Sequence, residues 1–226
     1  MLNTFTISLP IALGIAASPG PILALMILLM TPRAIPNSYS FLLGWFMGLM
    51  LVGVLVLNSP WLNESTVGPI LVSGWIRISL GILFLLLSIF LMKNIPKKGE
   101  AAAPPKWMEK VDSLGFFQVL IIGFVFSGPN VKNSAMVATG AISIGEAGLS
   151  PHQELIVLIL FCIVASLGVL LPHTIFLFFR TSAESVFGKM RVWLLRNRAL
   201  ILMIVLVVFG GLWLYRGIIF VGLFSN

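Results

Sequence analysis

The sequence predicts an all-α integral membrane protein with six transmembrane helices arranged as two inverted three-helix repeats, segments one and four broken at the midplane. Three observations predict it. Of the 226 residues 59% are hydrophobic and only 9% charged, with mean hydropathy +1.09. Soluble domains carry roughly 45–50% apolar and about 25% charged residues, so this chain has too little polar surface for water and takes the bilayer as solvent. Six apolar runs approach or exceed the ~20 residues a spanning helix needs. The first and fourth runs are interrupted near their centres by "SPGP" (18–21) and "SGPNVKN" (127–133).

The runs cover 4–31, 38–57, 69–92, 114–143, 153–179 and 199–222. The first, fourth and fifth exceed the required length, which permits tilt or an internal break. "MLNTFTISLP" has no positive n-region and its apolar character continues to Met30, so the first run reads as a retained span rather than a signal peptide. Residues 1–92 form the first repeat of a single membrane domain, 93–113 a basic loop and 114–226 the second repeat. Within the second repeat, Val186, Met190, Trp193 and Leu194 recur at helical spacing among Arg and Lys. That pattern predicts an amphipathic surface helix over about 181–197.

Charge sets the orientation. Arg33 follows segment one; Lys93, Lys97, Lys98, Lys106 and Lys110 follow segment three; Arg180, Lys189, Arg191, Arg196 and Arg198 follow segment five. The N-terminus and the loops after segments two and four hold no Lys or Arg. The positive-inside rule therefore puts the first set of loops in the cytoplasm and both termini outside the cytoplasmic membrane. The net charge of +7 is thus topology information, and nucleic acid is not an expected partner. Membrane lipids and a small-molecule or lipid substrate are. Three spans per half make the halves antiparallel, so a repeat must be inverted. Gly/Pro interruptions at matching positions of two such halves point to a transporter's central site.

Proline deletes a backbone donor and clashes with the preceding turn. In hydrocarbon the freed carbonyls must be covered by protein or face a wet cavity, so both breaks should point inward. Ser18 is a good N-cap with Pro19 at the first helical position, and Ser127 or Asn130 can cap the second half of segment four. Each restarted helix brings N–H groups and partial positive charge to mid-membrane, a ready anion site. Lys132 falls near the centre of segment four, where a lysine costs at least ~2.5–3.5 kcal/mol and cannot snorkel ~15 Å to an interface. It is expected to face a cavity with Asn130, Asn133 and Ser134. Beside this stands a structural reading, a lysine that merely pairs with carbonyls at a broken helix. The candidate substrate-binding set is Ser18, Pro19, Gly20, Pro21, Ser127, Gly128, Pro129, Asn130, Lys132 and Asn133.

None of the seven acidic residues lies in the middle of a span. Divalent cations need carboxylate, His or Cys ligands, so a metal or cation path is disfavoured and no cofactor is expected. His173, after Pro172, is the membrane-embedded group that titrates near neutral pH. It is a candidate for proton coupling, set against a hydrogen-bonded structural His. Arg77 lines an outer vestibule or snorkels outward. The lone Cys162 reads as a structural thiol and excludes a CxxC site. Gly44 and Gly48, in G-x-x-x-G spacing, allow close packing inside the chain or in a homodimer. An enzyme would need a nucleophile–base pair or a metal motif, and no HExxH or GxSxG is present, so the chain is not read as an enzyme.

With these motifs in view the chain resembles the lysine-exporter (LysE-type) superfamily of small six-span exporters. "SPGP" is similar to its proline-glycine-proline signature and "GPNVKN" to its asparagine-proline-lysine motif, with Val131 where proline is usual. "TPRAIPNSYSFLLGWFMGLML" (31–51) is closest to the GAP/Sap branch, the glycolipid- or sulfolipid-addressing proteins. The superfamily implies export of small solutes such as amino acids, and the branch implies movement of a polar lipid or its precursor. The resemblance makes Pro19, Gly20, Pro21, Asn130 and Lys132 the central-site residues. The function expected is a secondary exporter of a small anionic or zwitterionic solute or polar-lipid headgroup, working by alternating access. The alternatives are an anion-permeable channel of the same fold and a non-transporting helper subunit of a lipid-synthesis or export machine.

Overall fold

The computed structural model describes residues 1–59, 74–92, 111 and 113–221. Among these residues the regular elements are helices and there is no strand. In chain order they are α1 (Leu2–Ala16), α2 (Pro19–Leu29), α3 (Ala34–Leu57), α4 (Gly74–Met92), α5 (Phe116–Ser127), α6 (Val131–Gly145), α7 (Pro151–Ala165), α8 (Leu167–Phe178) and α9 (Arg180–Val221). The basic loop, apart from Val111 and Ser113, lies outside the described residues, as does the Arg77 side chain.

Two stretches, Ala34–Leu57 and Ala199–Ile219, are each long and apolar enough to cross a membrane alone. The pairs α1–α2 and α7–α8 also qualify if each bent pair is one span; they bend by 56° and 60°. Two to four candidate spans are therefore visible by length and composition. Ile78–Met92 and Phe116–Ser127 are shorter apolar helices.

The burial pattern suits lipid outside and polar groups inside. Leu55, Leu86, Phe90, Phe117 and Phe178 are exposed, while Ser8, Ser18, Asn37, Ser127, Asn133, Ser166 and His173 are buried. At the centre is α2, apolar on every face and buried from Leu23 to Leu29, as a helix without a polar stripe must be.

Glycines set the closest crossings. A Cβ on Gly44 would overlap the Leu120 carbonyl, and one on Gly123 would overlap the Phe41 carbonyl. Gly48 meets Ser127 and Gly128. The order 41–44–48 against 120–124–128 makes α3 and α5 parallel, backbone on backbone. The G-x-x-x-G face is thus used inside the chain. Gly81 and Gly210 bring α4 against α9, with Gly81 meeting Leu214 and Gly210 meeting Leu85, so this pair is antiparallel.

One feature differs from the sequence reading, and a second, an internal break that the length of segment five permits, is located by the structure. The stretch 181–197 is not a separate surface helix but the start of the 42-residue α9, continuous with Ala199–Ile219. Nothing between Arg191 and Phe209 breaks a helix: there is neither Pro nor Gly, so the pattern propagates. Segment five, meanwhile, is broken at Ser166. There the Ser166 hydroxyl donates to the Cys162 carbonyl (2.7 Å) and Pro172 follows one and a half turns later, a Ser/Gly–Pro combination that bends helices. Trp45 Nε1 donates to Ser166 Oγ at 3.1 Å, fully buried. Trp45→Phe is expected to cost about 1–2 kcal/mol for the lost hydrogen bond and the small void, read as a lower unfolding midpoint in detergent.

Candidate functional site

Segment one breaks where α1 ends at Ala16 and α2 starts at Pro19. Ser18 is the N-cap residue in an extended conformation (φ −70°, ψ 114°), with Pro at the helix start, but its side chain makes no capping bond. Pro19 and Pro21 carry no N–H, so two of the first three donors that a helix start leaves without partners are deleted. This makes the break cheaper to bury. It also makes α2 a thinner anion site than the sequence reading supposed.

Segment four breaks at Gly128–Pro129–Asn130. Asn130 caps α6 by accepting from the Asn133 N–H (3.2 Å). Ser127 instead closes α5, its hydroxyl donating to the Gly123 and Phe124 carbonyls. Val131 is 78% exposed at the first position of α6. The second break therefore forms without proline at 131, because Pro129 and the Asn130 cap suffice. The start of α6 keeps the N–H groups that α2 lacks.

The two breaks meet through three side chains. Lys132 Nζ donates to Ser18 Oγ at 2.6 Å and to the Gly14 carbonyl at 3.3 Å. Ser18 Oγ donates to Asn133 Oδ1 at 3.1 Å, and Asn133 Nδ2 donates to the Phe126 carbonyl at 2.9 Å. Ser134 Oγ donates to the Gly128 carbonyl. Gly14, Phe126 and Gly128 lie where the ends of α1 and α5 leave carbonyls without intrahelical partners. The carbonyl at the first break is thus covered by segment four's lysine and those at the second by segment four's own Asn133 and Ser134, the internal satisfaction that hydrocarbon demands.

Gly20 sits under Phe126, and Pro19 and Pro21 are buried. Of the predicted set, Ser18, Asn130, Lys132 and Asn133 are linked by hydrogen bonds; the prolines, Gly20, Ser127 and Gly128 shape the backbone. Lys132 does not line either described cavity. Its amine rests on protein groups, the arrangement set out above as the structural reading.

The third break reaches the same place. A Cβ on Gly168 would overlap the Ala16 carbonyl at the end of α1, and Ser166 holds Trp45 on α3. Sequence reasoning missed Ser166 and Gly168; their spacing before Pro172 was the available signal. His173 lies outside the Lys132 cluster. It is buried, with its ring edge-on to Tyr39 (centroids 4.7 Å apart) and its Nδ1 without a hydrogen-bond partner among the described residues.

Two cavities flank the bundle. One of about 500 Å³ lies between α1, α6 and α9, with polar groups that include Glu146 and Arg216 and apolar ones in about equal part. The other, about 400 Å³, is an apolar groove between Tyr39–Phe46 of α3 and the α7–α8 break.

No curated protein and no solved structure matches the chain significantly. The family described as "Sap, sulfolipid-1-addressing protein" matches residues 9–219. That match includes both interrupted segments, the Lys132 cluster and nearly all of α9, and the chain belongs to the Sap, sulfolipid-1-addressing protein, family.

Proposed function

We propose that the chain is a six-span exporter of an anionic polar lipid or lipid headgroup, built as two inverted three-helix repeats and working by alternating access at the Lys132 centre. The six spans are α1–α2, α3, α4, α5–α6, α7–α8 and the 199–219 part of α9. Exchange of the halves carries α4–α9 onto itself. It carries the contacts of α3 with α5, α3 with α6 and α1 with α6 onto those of α7 with α1, α8 with α2 and α5 with α2, all of which are made. The antiparallel α4–α9 pair and the parallel α3–α5 pair support the same topology, with both termini outside the cytoplasmic membrane.

One observation carries the reading: a lysine from one broken segment donates to the hydroxyl at the break of the other. An ammonium, a hydroxyl and the N-terminus of α6 together suit a sulfate or carboxylate. A family described by the addressing of a sulfolipid supports an anionic lipid over an amino acid. The substrate anion would take the amine from Ser18 and Gly14, loosening the link between the breaks and allowing the halves to reorient. A lysine amine engaged by protein groups favours a carrier over an open anion pore. His173, with a titratable ring at the α3–α8 contact, is the residue proposed for proton coupling; Arg77 on α4 is kept as the outer-vestibule residue.

A strain lacking the protein is expected to accumulate an anionic polar lipid, or its immediate precursor, on the cytoplasmic side and to lose it from the outer surface. Unchanged lipids together with a build-up of free amino acids would move the substrate to the soluble-solute branch.

A further inference from the structure

The Lys132 centre and the larger cavity are neighbours along the same three helices. On α6 the order is Lys132, Met136, Thr139, Ser143; on α9 it is Phe209, Trp213, Arg216; on α1 it is Gly14, then Thr4 and Asn3. The first residues of each series meet: Lys132 donates to the Gly14 carbonyl, and a Cβ on Gly14 would overlap both the Phe209 ring and the end of Met136. The later residues, Asn3, Thr4, Thr139, Ser143, Trp213 and Arg216, line the cavity of about 500 Å³. Met136 and Phe209 are 2% and 6% exposed. Thr139 and Trp213 stand about one helical turn, ~5 Å, beyond them. Met136 on α6 and Phe209 on α9 thus stand, buried, between the level of the lysine and the cavity, with the buried Ile11 at the matching place on α1 between Gly14 and Ile7, and Gly14 is bare so that Met136 and Phe209 close against it.

We propose that Phe209 and Met136 form a side-chain gate, closed over Gly14, between the Lys132 centre and this cavity, and that the cavity receives the polar headgroup on its way to the outer side. The inference rests on the transport reading above. By charge bias the cavity opens outward, since it is lined by the start of α1, the end of α6 and the end of α9. Its amide, hydroxyl and indole groups suit a hydrogen-bonding headgroup that has left the lysine, with Arg216 on the lining as the cation for it and Glu146 as an opposing charge that keeps the anion from being held there. Swinging two side chains breaks no backbone hydrogen bond, so this gate can open without moving a helix.

The test is thiol labelling in the full chain, with Cys162→Ala removing the single native cysteine. Sealed right-side-out vesicles are exposed to the impermeant anion sulfonatoethyl methanethiosulfonate. Thr139→Cys is expected to react whether or not Phe209 is present. Ser18→Cys is expected to be protected with Phe209 in place and to react at least roughly tenfold faster with Phe209→Ala, as the closed population is lost. Met136→Ala removes the other half of the gate and should act in the same direction, so the test survives if Phe209→Ala does not insert. Ser18→Cys reactivity independent of both residues would overturn the gate, and a Thr139→Cys that reacts only from the opposite face would overturn the exit cavity. Labelling needs no transport assay. A correct gate around a non-transporting centre would give this labelling pattern together with full activity in Lys132→Ala.

Discussion

Lys132→Ala is expected to abolish export, by at least roughly a hundredfold, while the protein still inserts and folds. The substitution removes the lysine at the junction of the two breaks, together with its donations to Ser18 Oγ and the Gly14 carbonyl. Hydrogen bonds from a charged donor contribute about 1.5–3 kcal/mol, but deleting a lysine also removes an insertion cost of at least ~2.5–3.5 kcal/mol. The two terms nearly offset each other in stability and do not offset in function, where the anion loses its partner. Lys132→Arg should recover only part of the activity, because a planar fork replaces a compact point charge in a site shaped around Ser18. Flux into vesicles, normalised to the amount of folded protein, reads both outcomes. Wild-type flux in Lys132→Ala would remove the lysine from the transport site and leave it a structural role.

Gly44→Leu should leave little folded protein in the membrane. A Cβ at this position already overlaps the Leu120 carbonyl, and Gly123 and Gly48 close the same crossing. Flexible side chains can yield to an overpacked residue at a cost of about 1–3 kcal/mol, but a backbone carbonyl in a helix cannot. The cost therefore exceeds that range, and α3 must separate from α5. The control is Gly211→Leu in α9, where nothing stands within 4 Å of an added Cβ and the amount of folded protein should not change. Equal recovery of both variants would mean that the α3–α5 crossing does not hold the bundle together.

The sequence revealed the solvent, the two interruptions and the need of Lys132 for polar company, because each rests on a rule that hydrocarbon enforces strictly, but it placed the lysine in a cavity, whereas the amine rests on Ser18 and Gly14. Apolar runs must be long, a proline must be compensated, and a mid-membrane amine must find oxygen. It did not reveal which oxygen. Lys132 reaches Ser18 and Gly14, far away in sequence, and that depends on how α1 packs on α6. The Ser166 break was hidden because Pro172 was read for its neighbour His173, and the bend appears six residues earlier. The joining of 181–197 to the last span was missed for the opposite reason. An amphipathic stretch beside an apolar one reads as two elements by composition, whereas a backbone with no Pro or Gly from Arg191 to Phe209 has no cause to stop. The prolines of "SPGP" also had a second effect, since they remove the N–H donors that would have made α2 an anion site.

The most direct measurement is counterflow in proteoliposomes that contain the purified protein alone, with a labelled sulfated glycolipid as probe. Saturable counterflow that disappears in Lys132→Ala is the expected result, as a carrier with an anion site at the two breaks requires. Movement that never saturates, or none without added partner proteins, would contradict the account and leave the junction of the breaks as scaffolding.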